Sequence, residues 1–376
     1  MLDTIVLTLS KGMYIITDPD RFTPSARWAM DNTPLLGSSS FISSKQNPVK
    51  REQIVGNYKP RLTLTQRFNH TRRYEATLKI ELSLPKLMFN NNFDELTNTD
   101  FDAVVNRLQK KLKEMGVLVF SQILLTAPVS AIHYSKNIAL TNGTTPHYLI
   151  SKIKEANISL SLDVNQTDYR NDGHSYKWHS NSYEIAFYDK LKDLEMANKS
   201  EKRAIENDNA IQLNLFETFK ERKRLEVMRM EVRLNKRQKI KQLFKTLDIQ
   251  SELTLKNLYS TTISQQVLIH YLDELENKRL PLFDYISTSS QSLLADLIIN
   301  NPNIGIRKTM QLFGLKQILD SINPRELRNM FGKYGQRSWY RLIAEAKVIQ
   351  LPTSGSLLGT IREHLIRFKP LKIVDF

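Results

Sequence analysis

The segment Val227-Met228-Arg229-Met230-Glu231-Val232-Arg233-Leu234 alternates apolar and charged residues without interruption. Successive side chains of a β-strand point to opposite faces, so a period of two predicts a strand with two unlike sides. One side holds Met228, Met230, Val232 and Leu234; the other holds Arg229, Glu231 and Arg233. Working outward, Tyr183–Lys190 sorts the same way. Tyr183, Ile185 and Phe187 oppose Glu184, Ala186, Tyr188 and Lys190. Leu78–Leu84 places Lys79, Glu81 and Ser83 on its polar face, and Arg61–Arg67 also alternates. In the strand expected over 129–140, Ala131, His133 and Ser135 share a face opposite Ile132.

Helical spacing interleaves with these strands. Val104, Val105, Leu108, Leu112 and Met115 recur every three or four residues after Asp100, and Gly116 is the expected stop. A second helix opens with Pro146 in its first turn, and Lys236–Leu247 reads as a third. Further strands are expected at 117–125 and 158–164, with a loop over 165–175 and a polar, mostly helical stretch over 192–226. Beyond 246 the apolar residues keep helical spacing, with breaks at Asn301-Pro302 and Asn323-Pro324. The fold class is therefore α+β: an antiparallel-sheet core with flanking helices, followed by an all-helical C-terminal domain. The expected boundary separates residues 1–245 from 246–376.

Composition narrows the chemistry. The 376 residues carry 54 Lys+Arg against 39 Asp+Glu, a formal charge of +15, and no cysteine. Disulfides, thiolate metal sites and thiol nucleophiles are excluded. The first twenty residues fit neither a secretory signal nor a transit peptide, and no apolar run is long enough to cross a bilayer, so an intracellular, soluble protein is expected. The charge points towards a polyanion.

If the strands share one sheet, their polar faces converge on Glu81, His133, Tyr188, Lys190, Glu231 and the flanking Arg229 and Arg233. Carboxylates and an imidazole suit a divalent ion such as Mg²⁺ or Mn²⁺, with Glu231, His133 and Glu81 as the candidate ligands. A tyrosine beside them can attack phosphorus if its phenol, with a pKa of about 10, is helped to ionise. Lys190 would supply the positive charge for that step. The other reading of the same pattern is the solvated face of a half-exposed antiparallel sheet.

Residues 219–245 hold eleven Lys/Arg and three Glu, a net of +8 in 27 residues. Lys220, Arg222, Lys223 and Arg224 precede the Glu231 strand; Lys236 and Arg237 follow it. This is the footprint expected of phosphodiester-backbone contacts, or else a solvated helix face. Tyr176, Trp178 and Tyr183 offer either base stacking or core packing. A helix-turn-helix is a further candidate over 304–319 and 323–331, with Arg325, Arg328, Lys333, Arg337 and Arg341 as phosphate contacts and Trp339 and Leu342 in its core. Phosphate-binding loops, dinucleotide fingerprints, nucleophile elbows and HExxH helices are all missing.

Three blocks, LKIELSLPKLMFNNNF (78–93), IAFYDKLKDLE (185–195) and MRMEVRLNKRQKIKQLF (228–244), resemble in order and spacing the gene II/X replication initiators of filamentous phages and related plasmids. VSAIHYSKNIAL (129–140) sits where that family places another strand of its nuclease core. The resemblance spans roughly residues 60–250. It implies an enzyme, a metal-dependent DNA endonuclease and strand transferase that starts rolling-circle replication in the cytoplasm of a bacterial host. Tyr188 would be the nucleophile and Lys190 its companion. Glu231 would be the leading ligand for Mg²⁺ or Mn²⁺, and Arg229 and Arg233 would position single-stranded or supercoiled origin DNA. Host polymerase and helicase would be partners, and no membrane would be involved. The chain lacks the His-x-His pair of the broader class of rolling-circle nucleases, and His133 stands alone. A non-catalytic origin- or single-strand-binding protein, in which Tyr188 only stacks, and a basic RNA-binding module are the alternatives.

Overall fold

The computed structural model describes residues 1–30, 43–46, 58–68, 74–140, 144–156, 167–170, 173–193, 226–278, 282, 285, 289–322, 324–352 and 358–375. The chain is α+β. The described strands are β1 (Leu2–Leu9), β2 (Ile15–Ile16), β3 (Ser43–Gln46), β4 (Arg61–Phe68), β5 (Tyr74–Ser83), β6 (Val117–Leu118), β7 (Val129–Ala139), β8 (Thr167–Arg170), β9 (Ser175–His179), β10 (Tyr183–Asp189) and β11 (Val227–Leu234). Nine of them form one sheet in the order β3-β4-β5-β1-β7-β11-β10-β9-β8, with every pairing antiparallel. The short β2 and β6 pair separately.

The described helices are α1 (Leu84–Phe89), α2 (Phe101–Glu114), α3 (Ser121–Leu125), α4 (Pro146–Ala156), α5 (Arg237–Thr246), α6 (Leu255–Leu258), α7 (Thr261–Lys278), α8 (Ser290–Asn300), α9 (Ile306–Leu319), α10 (Pro324–Phe331), α11 (Gln336–Lys347) and α12 (Gly359–Arg367). The expected helix after Asp100 is α2, and it buries Val104, Val105, Leu108 and Leu112. Gly116 follows it at φ +76, where a Cβ would also meet the Cβ of Asp18 at 2.8 Å. Only glycine fits that turn without strain. No helix among the described residues is long and apolar enough to cross a membrane.

The apolar face of the sheet is the one the alternation defines. Met228, Met230, Val232 and Leu234 are buried with Ile185, Phe187 and Ile132. This core continues past residue 245 into Leu255, Leu258, Val267, Leu268 and Leu272, and takes in Ile361 and Leu365 of α12. A second core gathers Leu293, Leu297, Leu312, Leu327, Trp339 and Ile343.

Several local expectations are corrected. Residues 117–125 are not one strand: only Val117–Leu118 is extended, and Ser121–Leu125 is a helical turn. Its leading run Val-Leu-Val-Phe has no alternation, and a short apolar run does not distinguish strand from helix. The loop expected over 165–175 contains β8, which hydrogen-bonds to β9. Leu2–Leu9, for which the sequence pattern predicts no element, forms a central strand between β5 and β7. The strand expected at 158–164 and most of the helix expected at 192–226 lie outside the described residues.

Tyr176 and Trp178 are fully buried, so core packing explains them and base stacking does not. Their rings lie 5.4 Å apart, and Trp178 stacks on Phe187 at 5.9 Å. Tyr183 stacks on Tyr271 at 5.6 Å, with Lys239 4.3 Å above its ring.

Candidate active site

The register of β10, β11 and β7 brings three polar rows together. Tyr188 lies opposite Arg229, Ala186 opposite Glu231, and Glu184 opposite Arg233. On the other side of β11, Asn137, Ser135 and His133 face Arg229, Glu231 and Arg233. Directly paired residues share a face. Tyr188, Glu231 and His133 therefore converge because a small side chain, Ala186 or Ser135, flanks Glu231 on each side.

The Tyr188 hydroxyl donates to Glu231 Oε2 at 2.9 Å. Arg233 donates from Nε to Glu231 Oε1 at 2.8 Å and from Nη2 to Oε2 at 3.2 Å. Its Nη1 reaches Glu184 Oε1 at 2.7 Å. His133 Nδ1 stands 3.6 Å from Glu231 Oε1. Arg229 donates through Nε to Asn137 Oδ1 at 2.7 Å and through Nη2 to the Asn92 carbonyl, and it pairs with Asp3 at 3.7 Å. Lys190 does not continue the strand face; it opens a helical turn, pairs with Asp193 at 3.5 Å and sits 5.6 Å from the Tyr188 ring centre.

The solvated-face reading fails for the middle of this cluster. Arg229 and Glu231 are each 1% exposed and Lys190 is 0% exposed. A buried charge is strongly disfavoured unless paired and hydrogen-bonded, so these partners are obligatory. Tyr188 and His133 remain half-buried and Arg233 is partly exposed, which leaves an approach from solvent.

The electrostatics follow from that burial. Burial raises the Tyr188 phenol well above its ordinary value and the Glu231 charge raises it further, with Arg229 opposing. Burial would also raise Glu231, but Arg233, through charge and hydrogen bonds, outweighs it. The carboxyl is held well below the usual carboxylate range, with His133 and Arg229 contributing. Burial lowers His133 against the pull of Glu231. Burial, reinforced by Arg229, pushes the Lys190 ammonium down to about 8 against the pull of Asp193. Without DNA the site therefore holds a protonated phenol donating to an ionised carboxylate.

Glu81 does not join this cluster. Its residue aligns with Val6 of β1, which in turn aligns with Ala131 of β7. The intervening β1 sets β5 about 10 Å from β7, two strand spacings. The carboxylate of Glu81 pairs instead with Lys79 at 3.2 Å and Arg61 at 4.0 Å. Among the described residues, no group of three or more His, Asp or Glu is arranged to hold a metal ion. Only Glu231 and His133 come together, and both oxygens of Glu231 already accept from Arg233 and Tyr188. With Arg229 and Arg233 adjacent, the residues present do not fit Mg²⁺ or Mn²⁺ in this arrangement. Mn²⁺ titrated into DNA-free protein is accordingly expected to show no tight site at these residues. Electron paramagnetic resonance of free Mn²⁺ checks this, and a sub-millimolar site lost in Glu231→Gln would contradict it.

Asn137, Asp3 and the Asn92 carbonyl were not anticipated, although each holds Arg229. Asn137 was legible as the next same-face residue after Ser135; Asp3 required the position of β1. Of the basic segment, Lys220, Arg222, Lys223 and Arg224 lie outside the described residues. Lys236 and Arg237 are exposed at the start of α5. An open groove of about 530 Å³ beside α5 is lined by Arg237, Lys241 and Lys245 with Phe244 and Pro128.

Comparison of the chain with protein-family models, curated proteins and solved structures finds no significant match.

Proposed function

We propose that this chain is a replication initiator that nicks and rejoins origin DNA through Tyr188. The observation carrying this reading is the Tyr188–Glu231 hydrogen bond, set among Arg229, Arg233 and Lys190 on a partly open sheet face. The likeness to the gene II/X initiators adds the substrate class, single-stranded or supercoiled origin DNA.

In the proposed reaction Tyr188 Oη attacks the scissile phosphorus. An Oη–P bond forms, the P–O3′ bond breaks, and the leaving oxygen takes a proton to become a free 3′-hydroxyl for a host polymerase. The phenolic proton passes towards Glu231. At rest that carboxylate is a poor base because Arg233 stabilises its charge. A phosphodiester that draws the Arg233 guanidinium to itself leaves Glu231 more basic at the moment the nucleophile is needed. Arg233 then faces the charge that grows on the phosphoryl oxygens, and the buried Lys190, 5.6 Å from the Tyr188 ring centre, adds positive charge from within the fold. Attack of a 3′-hydroxyl on the phosphotyrosine reverses the bonds and rejoins the strand without ATP.

The test is covalent capture. Single-stranded oligonucleotides tiled across the chain's own replicon are incubated with the protein, with EDTA, Mg²⁺ or Mn²⁺, and resolved under denaturing conditions. A protein–DNA adduct that depends on Tyr188 is the expected result. The strongly raised phenol favours a second reading, a non-catalytic DNA-binding protein, and failure to form any adduct across metals and tiles, with DNA still bound, supports it.

Lys190 gives the proposal a pH signature. Its ammonium is present below about 8 and is lost above it in the DNA-free protein. Adduct formation at limiting DNA is expected to fall as pH rises through about 8, since such rates report the free protein's titrations. Lys190→Arg, charged throughout, should remove that alkaline limb; a limb unchanged in the variant would assign it elsewhere.

A further inference from the structure

We infer that the outward face of α11 is a duplex-DNA-binding surface, presented by a helix-turn-helix that α10 and α11 form. The sequence pattern places such a pair one helix earlier, over 304–319 and 323–331. Those two helices form, as α9 and α10, and a second tight turn, the one that contains glycine, lies at Gly332-Lys333-Tyr334-Gly335 between α10 and α11. Gly335 has φ +85, in the left-handed region that favours glycine. A three- to four-residue turn containing glycine is the connection such pairs use.

The two helices are locked by their inner faces. Leu327 of α10 and Trp339, Ile343 and Ala346 of α11 are buried in the second core, and Phe331 stacks on Trp339 at 6.3 Å. What remains outside on α11 is Arg337, Tyr340, Arg341 and Ala344, at i, i+3, i+4 and i+7, all exposed. Arg328 reaches across from α10, its guanidinium 5.9 Å from the Tyr340 ring. Residues 324–347 contain six Lys/Arg and two acids, Glu326 and Glu345, a net of +4.

Charge and shape favour duplex DNA as the occupant. The cations complement phosphates, and the short side chain of Ala344 lets that part of α11 approach a partner closely. A helix of about 10–12 Å diameter matches the roughly 12 Å major groove. Single strands are bound by grooves lined with stacking aromatics, whereas this surface is convex. The inference does not depend on Tyr188 chemistry.

The test uses the full chain carrying Tyr188→Phe, so that no covalent product forms. Binding to a 30-bp mixed-sequence duplex and to one of its single strands is measured by fluorescence anisotropy against salt. Arg337→Ala/Arg341→Ala is expected to weaken duplex binding at least about tenfold and to lower the salt slope by about two. Lys110→Ala/Lys113→Ala, on the exposed side of α2, removes the same charge and should change duplex binding far less. Ala344→Glu, at an exposed position that buries nothing, should also weaken duplex binding. Circular dichroism establishes that each variant is folded. Equal losses from the α2 and α11 pairs, equal losses of duplex and single-strand binding, or no loss in Ala344→Glu would each overturn the inference.

Discussion

Tyr188→Phe is expected to abolish covalent capture of single-stranded DNA, lowering adduct yield by more than about 10⁴-fold. The change deletes the only atom proposed to bond phosphorus, so no residual route through this residue exists. It leaves the packing of the ring in place, and Glu231 keeps both hydrogen bonds from Arg233. The structural cost is one hydrogen bond to a charged acceptor, about 1.5–3 kcal/mol. Thermal unfolding should therefore show a folded variant that still binds DNA. That combination separates a lost nucleophile from a lost fold. Undiminished adduct in the variant would move the nucleophile to another side chain and remove the basis of the proposed reaction.

The second large effect concerns stability and lies next to Arg229, across Asn137. Glu95 is buried and accepts from Lys136 Nζ, from the Asn137 backbone N–H at 2.6 Å and from the Leu371 N–H at 2.9 Å. Its place is dictated by topology. The described pairing of β1 along β7 reaches Tyr134, and beyond it the Asn137 N–H donates to Glu95. Glu95→Ala leaves a buried Lys136 unpaired and should destabilise the protein by about 3–5 kcal/mol. Urea unfolding measures it. Replacing the pair, Glu95→Leu with Lys136→Met, should recover only the Lys136 share of that loss, because the buried Met1 ammonium, 3.8 Å from Glu95, and the Asn137 and Leu371 N–H groups still lose their partner. If the double variant is no better than the single one, the ion pair is not the source.

Acid should act on the same carboxyl. Burial alone would raise the Glu95 pKa, but Lys136, by charge and hydrogen bond, lowers it below its unfolded value. A depressed carboxylate contributes stability that is complete above the unfolded pKa, about 4.3, and declines as pH falls towards the folded one. The wild-type protein should lose this contribution on acidification through that window, while Glu95→Gln should show a shallower acid slope.

Much of the candidate site was legible because strand faces are. Alternation in 227–234 and 183–190 placed Arg229, Glu231, Arg233 and Tyr188 on one side, and the cross-strand register keeps them there. His133 was equally readable from its parity with Ala131 and Ser135. Glu81 shows the limit of that logic. Its face was read correctly, but a face carries no information about which strands lie between. Lys190 shows another limit, since continuing the period by one step placed on a strand a residue that begins a helical turn.

By itself the sequence determined the α+β class, the two-sidedness of the central strands and a chemistry without thiols. It did so because period and composition are properties of neighbouring residues. Only the tertiary structure decided that β1 enters the middle of the sheet and that Arg229, Glu231 and Lys190 are sealed from water. It also decided that Glu231 is engaged by Arg233 and Tyr188, apart from Glu81. Those outcomes depend largely on pairings between residues distant in the chain, from 43 positions for Tyr188 and Glu231 to 137 for Asn92 and Arg229, and on which loops cover a face. No local pattern encodes either.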